Sequence, residues 1–139
     1  LIARVKNEKS ILGGGIWYEP NRFNEKFMGP YALWENEKVK ITWEFSETSY
    51  DFHKQPWYRL AIPQNWNPNK RRDKEYYRVA PYMDQLGDKQ ILYVTLSTLM
   101  YDRDGKVLGI STVDWTLEDL NKLLGQFDIT KSSYTALID

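Results

Sequence analysis

Six residues in the middle and second half of the chain hold most of the chemistry this sequence can offer: Tyr50, Trp57, Tyr58, Tyr82, Asp84 and Asp114. Aromatic rings present large faces to cations and sugars, and carboxylates supply counter-charge, so the set suits recognition of a small molecule. Asp114 stands out. It lies in phase with Leu108, Ile110 and Thr112, while the opposite phase reads Val107, Gly109, Ser111, Val113 and Trp115. Both faces are largely apolar, so the carboxylate points into something covered, and a covered carboxylate needs a donor, a cation or a ligand. The other reading is an Asp near a strand end that helps cap the helix after it.

Competing chemistries fall away on composition. The chain has no Cys, which removes zinc ribbons, thiol catalysis and disulfide scaffolds. It has a single His, His53, in an irregular polar stretch with no serine motif near it, so neither a two-histidine mechanism nor a Ser-His-acid triad has its parts. No phosphate-cradling glycine motif is present; Gly13-Gly14-Gly15 precedes a strand, the reverse of the strand–loop–helix order such a loop needs. A carboxylate pair for glycoside hydrolysis is not removed by spacing alone, since any of the 19 acids could meet in space. The reading is nevertheless of a non-enzymatic protein with no metal and no cofactor. Lys+Arg and Asp+Glu both total 19, a balance that argues against a dedicated nucleic-acid or anionic-membrane binder. The basic run Lys70-Arg71-Arg72 sits beside Asp73 and Glu75 and reads as a solvated loop. Asp102-x-Asp104-Gly105 has the start of a calcium loop but lacks the other ligands, and reads as a hairpin turn.

The elements that must position the six residues come from periodicity. A length of 139 residues suits one domain. No apolar run approaches the ~18–20 residues of a membrane span. The chain opens on Leu1 and stops on an apolar run, residues 134–138, and reads as a piece of something longer. Residues 1–12 form a helix tail that the glycine triplet stops, followed by a short strand over 16–19. Residues 31–34 and 39–45 form a hairpin, with Val39, Ile41, Trp43 and Phe45 alternating toward a core. Pro56 opens a short helix through Ile62, and 63–75 is a loop. Residues 76–82 form a short strand. Residues 91–101 and 107–115 are the two strongest strands, joined by the Asp-Gly turn. Thr116 caps a helix to Gly125, with Asp119 as capping-box partner and Leu117, Leu120 and Leu124 on one face. A last strand runs over 133–138. The fold class is α+β: a single central antiparallel sheet flanked by helices, the N-terminal helix truncated.

In order and spacing these segments resemble the membrane-distal module of a double Cache domain, the PAS-like extracytoplasmic sensor of bacterial and archaeal receptors. Residues 14–21 resemble the family's opening strand. Residues 50–61, Tyr50-Asp51-Phe52-His53-Lys54-Gln55-Pro56-Trp57-Tyr58-Arg59-Leu60-Ala61, resemble its Tyr…Trp-Tyr-x-x-Ala segment, and residues 95–120 resemble its last hairpin and following helix. The resemblance implies one sensor module over 1–139, with 133–139 leading toward a membrane-proximal module that is not in this chain. It implies a small organic ligand, the receptor's own proximal module and transmembrane helices as partners, a homodimer through the N-terminal helix, and no nucleic acid. In amino-acid-sensing members the motif carries Tyr, Arg, Trp-Tyr, Tyr-x-Asp and a strand Asp; the matching positions are Tyr50, Gln55, Trp57, Tyr58, Tyr82, Asp84 and Asp114. Gln55 stands where Arg would clamp an α-carboxylate, and a neutral amide cannot supply that charge. A cationic, amine-like guest is therefore expected in place of an ordinary α-amino acid. The alternatives are a carbohydrate-binding module with Trp17, Trp34 or Trp66 on an open face, and a ligand-free structural or interaction domain.

Overall fold

The computed structural model describes residues 1–22, 27–67, 70, 72 and 74–127. The elements are α1 (Ile2–Asn7), β1 (Gly13–Tyr18), β2 (Tyr31–Glu35), β3 (Lys38–Thr42), α2 (Pro56–Ala61), β4 (Tyr77–Arg78), β5 (Tyr82–Leu86), β6 (Lys89–Tyr101), β7 (Val107–Thr116) and α3 (Leu117–Leu124). One antiparallel sheet runs in the order β3-β2-β1-β7-β6-β4, and β5 pairs with β6. The long β6–β7 hairpin is its centre. Tyr93 lies opposite Thr116, Thr95 opposite Asp114 and Ser97 opposite Thr112, so alternate residues of both strands share one face. Among the described residues no helix is long and apolar enough to cross a membrane.

Each face of the sheet has its own cover. On one face the buried Val5, Ile11 and Ala32 pack with Trp34, Val113 and Trp115. On the other, residues 43–62 lie across the strands and bury Phe45, Phe52, Trp57, Tyr58, Ala61 and Ile62 against Trp17, Tyr31 and Ile110. Among the hydrogen bonds that fasten this cover, the Gly29 N–H donates to Ser46 Oγ at 3.0 Å, and Ser97 Oγ donates to the Trp57 carbonyl at 3.3 Å. Pro56 occupies the first turn of α2, where its missing N–H costs nothing.

The long hairpin, the Pro-initiated helix and the capped helix lie where periodicity places them. The Thr116 side chain accepts from the Asp119 N–H at 3.0 Å, the cap expected; the Asp119 carboxylate accepts from the Thr116 hydroxyl at 2.7 Å, where a capping box would have it accept from the Thr116 backbone N–H. Thr116→Ala should cost about 1 kcal/mol of stability in a urea titration. Asp102 Oδ1 accepts from the N–H groups of Asp104 (3.0 Å) and Lys106 (2.8 Å), so this carboxylate closes its own hairpin turn.

Three expectations are corrected. The glycine triplet lies inside β1 and does not precede it. A Cβ on Gly15 would sit 2.3 Å from the Trp17 ring, and one on Gly13 only 2.5 Å from the Ala32 carbonyl, so the glycines are there for close approach. Second, β3 ends at Thr42. The alternation over 39–45 does not face a core throughout: Trp43 is 51% exposed and Ile41 lies on the sheet's edge strand, while Phe45 is buried from a short 3-10 turn, Glu44–Ser46. Third, residues 76–82 are not one strand. β4 ends at Arg78, and a separate β5 begins at Tyr82 and pairs with the start of β6. The expected strand over 133–138 lies outside the described residues.

Candidate ligand-binding site

Between the sheet and the 43–62 cover lies a small cavity, and register explains who lines it. Thr95 and Asp114 are cross-strand partners, so both side chains rise from one spot on the sheet face. Gly13 is the partner of Asp114 on the other side, and having no side chain it leaves room there. The Tyr31 hydroxyl uses that room; a Cβ on Gly13 would come within 2.8 Å of it. Trp17 forms the floor, its Nε1–H donating to Thr112 Oγ1 at 2.8 Å. Above it, Trp57 packs at a 4.7 Å ring separation, and Phe45 and Tyr50 pack against each other at 4.9 Å. Tyr82 and Tyr93 stack at 5.9 Å along the β5–β6 pair and close the remaining side.

Of the seven expected residues, the structure brings Tyr50, Trp57, Tyr82, Asp84 and Asp114 to this one cavity. Gln55 and Tyr58 do not line it. The Gln55 amide donates to the Tyr50 carbonyl at 3.2 Å, serving its own turn. Tyr58 points the opposite way and donates to Glu19, against the wall of a second cleft. Trp17, Tyr31, Phe45, Tyr93, Thr95 and Thr112 complete the lining. Thr95 and Thr112 were within reach of the sequence, since they alternate with Asp114 along the two strongest strands. Trp17, Tyr31 and Phe45 come from strands and turns whose order in the sheet no local pattern announces.

The polar groups form two chains. Tyr82 OH lies 2.7 Å from Thr95 Oγ1, which in turn donates to Asp114 Oδ1 at 2.5 Å. Thr95 has one proton, so when it gives that proton to Asp114 the Tyr82 hydroxyl must be the donor to Thr95. At the cavity's rim Tyr50 OH donates to Asp84 Oδ2 at 2.7 Å, and the Gln85 N–H holds Asp84 Oδ1 at 2.8 Å. Asp114 is 5% exposed, and among the described residues no Lys, Arg or His forms an ion pair with Asp114 or Asp84. Burial pushes the Asp114 carboxyl up from 3.8 to about 6; the Thr95 hydrogen bond opposes that rise and the charge of Asp84 adds to it. The Tyr31 hydroxyl, buried beside Asp114, also helps to hold the carboxyl down, and that carboxylate in turn raises the phenol. Burial, then the Asp84 carboxylate, also drives the Tyr50 phenol far above its usual range, so it stays a donor.

Residues 1–122 match the family described as methyl-accepting chemotaxis protein-like, first PDC sensor domain. The chain belongs to this family. A PDC sensor domain senses and does not catalyse, which agrees with the missing catalytic motifs and with the Cache-like resemblance. Solved structures share its fold. The extracellular domain assigned to histidine kinase soHK1S-Z6 is similar at TM-score 0.62 and 22% identity, over 90% of this chain and 44% of that one. Methyl-accepting chemotaxis protein X is similar at 0.66 and 17% identity, over 91% and 47%. The periplasmic sensory domain of the Campylobacter jejuni chemoreceptor Tlp1 is similar at 0.56 and 14% identity, over 94% and 46%. The PDC domain thus spans a little under half the length of each of these structures. No curated protein sequence matches it.

Thr95 is the pivot of this PDC domain's buried polar chain. Thr95→Val keeps the shape and removes the hydroxyl, so Asp114 loses a donor and Tyr82 loses its acceptor. The expected cost is about 1–3 kcal/mol in urea unfolding, and the Asp114 titration should move further up.

Proposed function

We propose that this PDC domain is the membrane-distal, extracytoplasmic ligand-binding module of a transmembrane receptor, with a chemotaxis or histidine-kinase output, and that its pocket takes a small organic cation of amine type. The observation that carries the ligand class is the charge of the lining. Two carboxylates and seven aromatic rings face the cavity, and none of the described residues lining it is Lys, Arg or His. A guest bearing its own carboxylate would meet Asp84 and Asp114 with nothing to balance it. Gln55, at the position where the resemblance expects Arg, is turned into its own backbone. A guest bearing only an ammonium group supplies the charge that Asp114 lacks, and ring faces receive its alkyl substituents. Each cation–π contact contributes ~0.5–2 kcal/mol and a charge-assisted hydrogen bond roughly 1.5–3 kcal/mol, so a few of each reach the about −8 kcal/mol of micromolar affinity.

Several observations support the receptor setting. The family is a sensor domain, and the chain spans under half the length of the three solved structures named above. Two of those structures are the extracellular domain assigned to a histidine kinase and the periplasmic sensory domain of a chemoreceptor. The cavity leaves about 20 Å³ for the centre of a water molecule, so its walls must part to admit an amine of several carbons. The wall opposite the sheet is the 43–62 cover, so admitting a guest means shifting that segment. A guest that binds the parted state better shifts the domain toward it, and only that difference in affinity can signal.

The carbohydrate alternative expected Trp17, Trp34 or Trp66 on an open face; Trp17 is 3% exposed at the cavity floor, and Trp34 and Trp66 are half-buried on the walls of other clefts. A thermal-shift screen of amines, amino acids, organic acids and sugars separates the readings. Amines at about 100 times their Kd should stabilise the domain by ~2.7 kcal/mol, a rise of several degrees. Equal shifts with amino acids, or shifts with sugars alone, would overturn the cation assignment.

A further inference from the structure

A second cleft, of about 530 Å³, lies on the far side of the 43–62 cover, and its chemistry is the reverse of the first. Its floor is built from the buried His53, Tyr58, Ile62 and Val107. Three cations line it from three separate parts of the chain: Arg22 after β1, Arg59 on α2, and Lys106 in the β6–β7 turn. Among the described lining residues one carboxylate, Glu19, faces them, and it is already engaged by the Tyr58 hydroxyl. Arg59 is half-buried, close enough to Tyr58 and His53 to bear on both electrostatically, and has no ion pair or hydrogen bond from its guanidinium among the described residues. A half-buried guanidinium is stable there only with compensating negative charge, and its planar fork matches a carboxylate or phosphate edge. Trp66 forms one wall and offers a ring face to the body of such a guest.

We propose that this cleft is a second ligand site, for a small dianion carrying carboxylate or phosphate oxygens, with Arg59 as the clamp and Arg22 and Lys106 as flanking charges. Three cations against one engaged carboxylate leave an excess that a dianion neutralises and a monoanion does not. The two sites sit back to back across one cover: Trp57 and Tyr58 are neighbours in α2, Trp57 facing the first cavity and Tyr58 the second. An anion here therefore bears on the same segment that walls the amine pocket.

His53 supplies the readout. It is the chain's only histidine, so its ring signals are unique in a proton–carbon NMR spectrum. Its Nε2 lies 3.1 Å from the Tyr18 carbonyl and its Nδ1 3.8 Å from Asp51 Oδ1, so the ring reports on the cleft from a fixed orientation. The groups facing it are Glu19, Asp51, Tyr58 and Arg59. The experiment titrates the protein with succinate and with inorganic phosphate, with acetate and chloride at matched ionic strength as controls. Either dianion should move the His53 resonances saturably and raise the pH at which the ring titrates, with acetate at least tenfold weaker. Arg59→Gln should weaken the dianion about tenfold or more, and the exposed Lys106→Gln by a smaller factor, while Lys122→Gln, exposed on α3, leaves it unchanged. A succinate response without a phosphate response narrows the class to carboxylates, and the converse narrows it to phosphates. Shifts that chloride reproduces, or that both Arg59→Gln and Lys106→Gln leave intact, overturn the proposal. The result does not depend on the amine assignment of the first pocket.

Discussion

Asp114→Asn is expected to make the unliganded domain more stable at pH 7.5 while removing most of its affinity for amines. The carboxyl titrates near 3.8 in an unfolded chain and at about 6 in the fold. Because the folded value is the higher one, the folded state binds more protons between those two pH values. Stability therefore falls as pH rises through that window, and the whole penalty is present above about pH 6. A shift of roughly two pH units corresponds to about 3 kcal/mol, an upper figure for what Asn recovers, since its amide NH₂ must also find a partner. Urea unfolding at pH 7.5 should show the variant 1–3 kcal/mol more stable than the parent (a range of about the same order), and at pH 4 the two should converge. The same substitution removes the counter-charge for a bound ammonium, so affinity should drop about 10–100-fold. A group kept for stability would show the opposite: loss of stability at pH 7.5 and no change in binding. That opposition separates a binding carboxylate from the strand-end capping role, and Thr116 already performs the cap.

Trp17→Ala should be the most damaging substitution for the fold. The ring lies 5.3 Å from Phe52, 4.7 Å from Trp57 and 6.1 Å from Tyr31, so it joins the cover to the sheet. Truncating a buried Trp costs about 3–5 kcal/mol, against a total of roughly 5–15 kcal/mol for a domain of this size. The Thr112 hydroxyl also loses its indole donor. Thermal unfolding should show a drop of well over ten degrees or no cooperative transition. Trp17→Phe keeps much of the ring volume and should lose about a third to a half of that amount. A small effect from Trp17→Ala would mean that the cover is held by its hydrogen bonds and its other ring contacts without the indole.

The central hairpin and α3 were legible because their signals are local: strict alternation, an Asp-Gly turn, and a Thr cap with its partner three residues on. The site was legible in part. Asp114 betrayed itself as a charge in phase with apolar neighbours, and Thr95 stands opposite it by register. Tyr50, Trp57, Tyr82 and Asp84 came through the family resemblance, and the fold brings them to the same cavity as Asp114. Tyr58 followed its neighbour Trp57 in the motif, yet on a helix adjacent side chains diverge by about 100°, and it went to the other cleft. Tyr31 was hidden because its place depends on the absence of a side chain at Gly13, a long-range fact no window contains. The glycine triplet misled for the same reason: it resembles punctuation, but it makes room for rings from other strands. Trp43 misled in the opposite sense, since an edge strand can carry an apolar alternation that nothing covers.

Choline tests the central claim most directly, because its quaternary nitrogen keeps its charge at every pH, so any pH dependence belongs to the protein. Calorimetric titration between pH 4.5 and 8 should show affinity constant above about pH 6.5 and falling up to tenfold per pH unit below about 6, as Asp114 takes a proton. The neutral isostere with carbon in place of nitrogen should bind at least tenfold more weakly at pH 7.5. Equal binding of choline and its isostere, or a choline affinity flat across that pH range, would contradict a pocket built around an unpaired buried carboxylate.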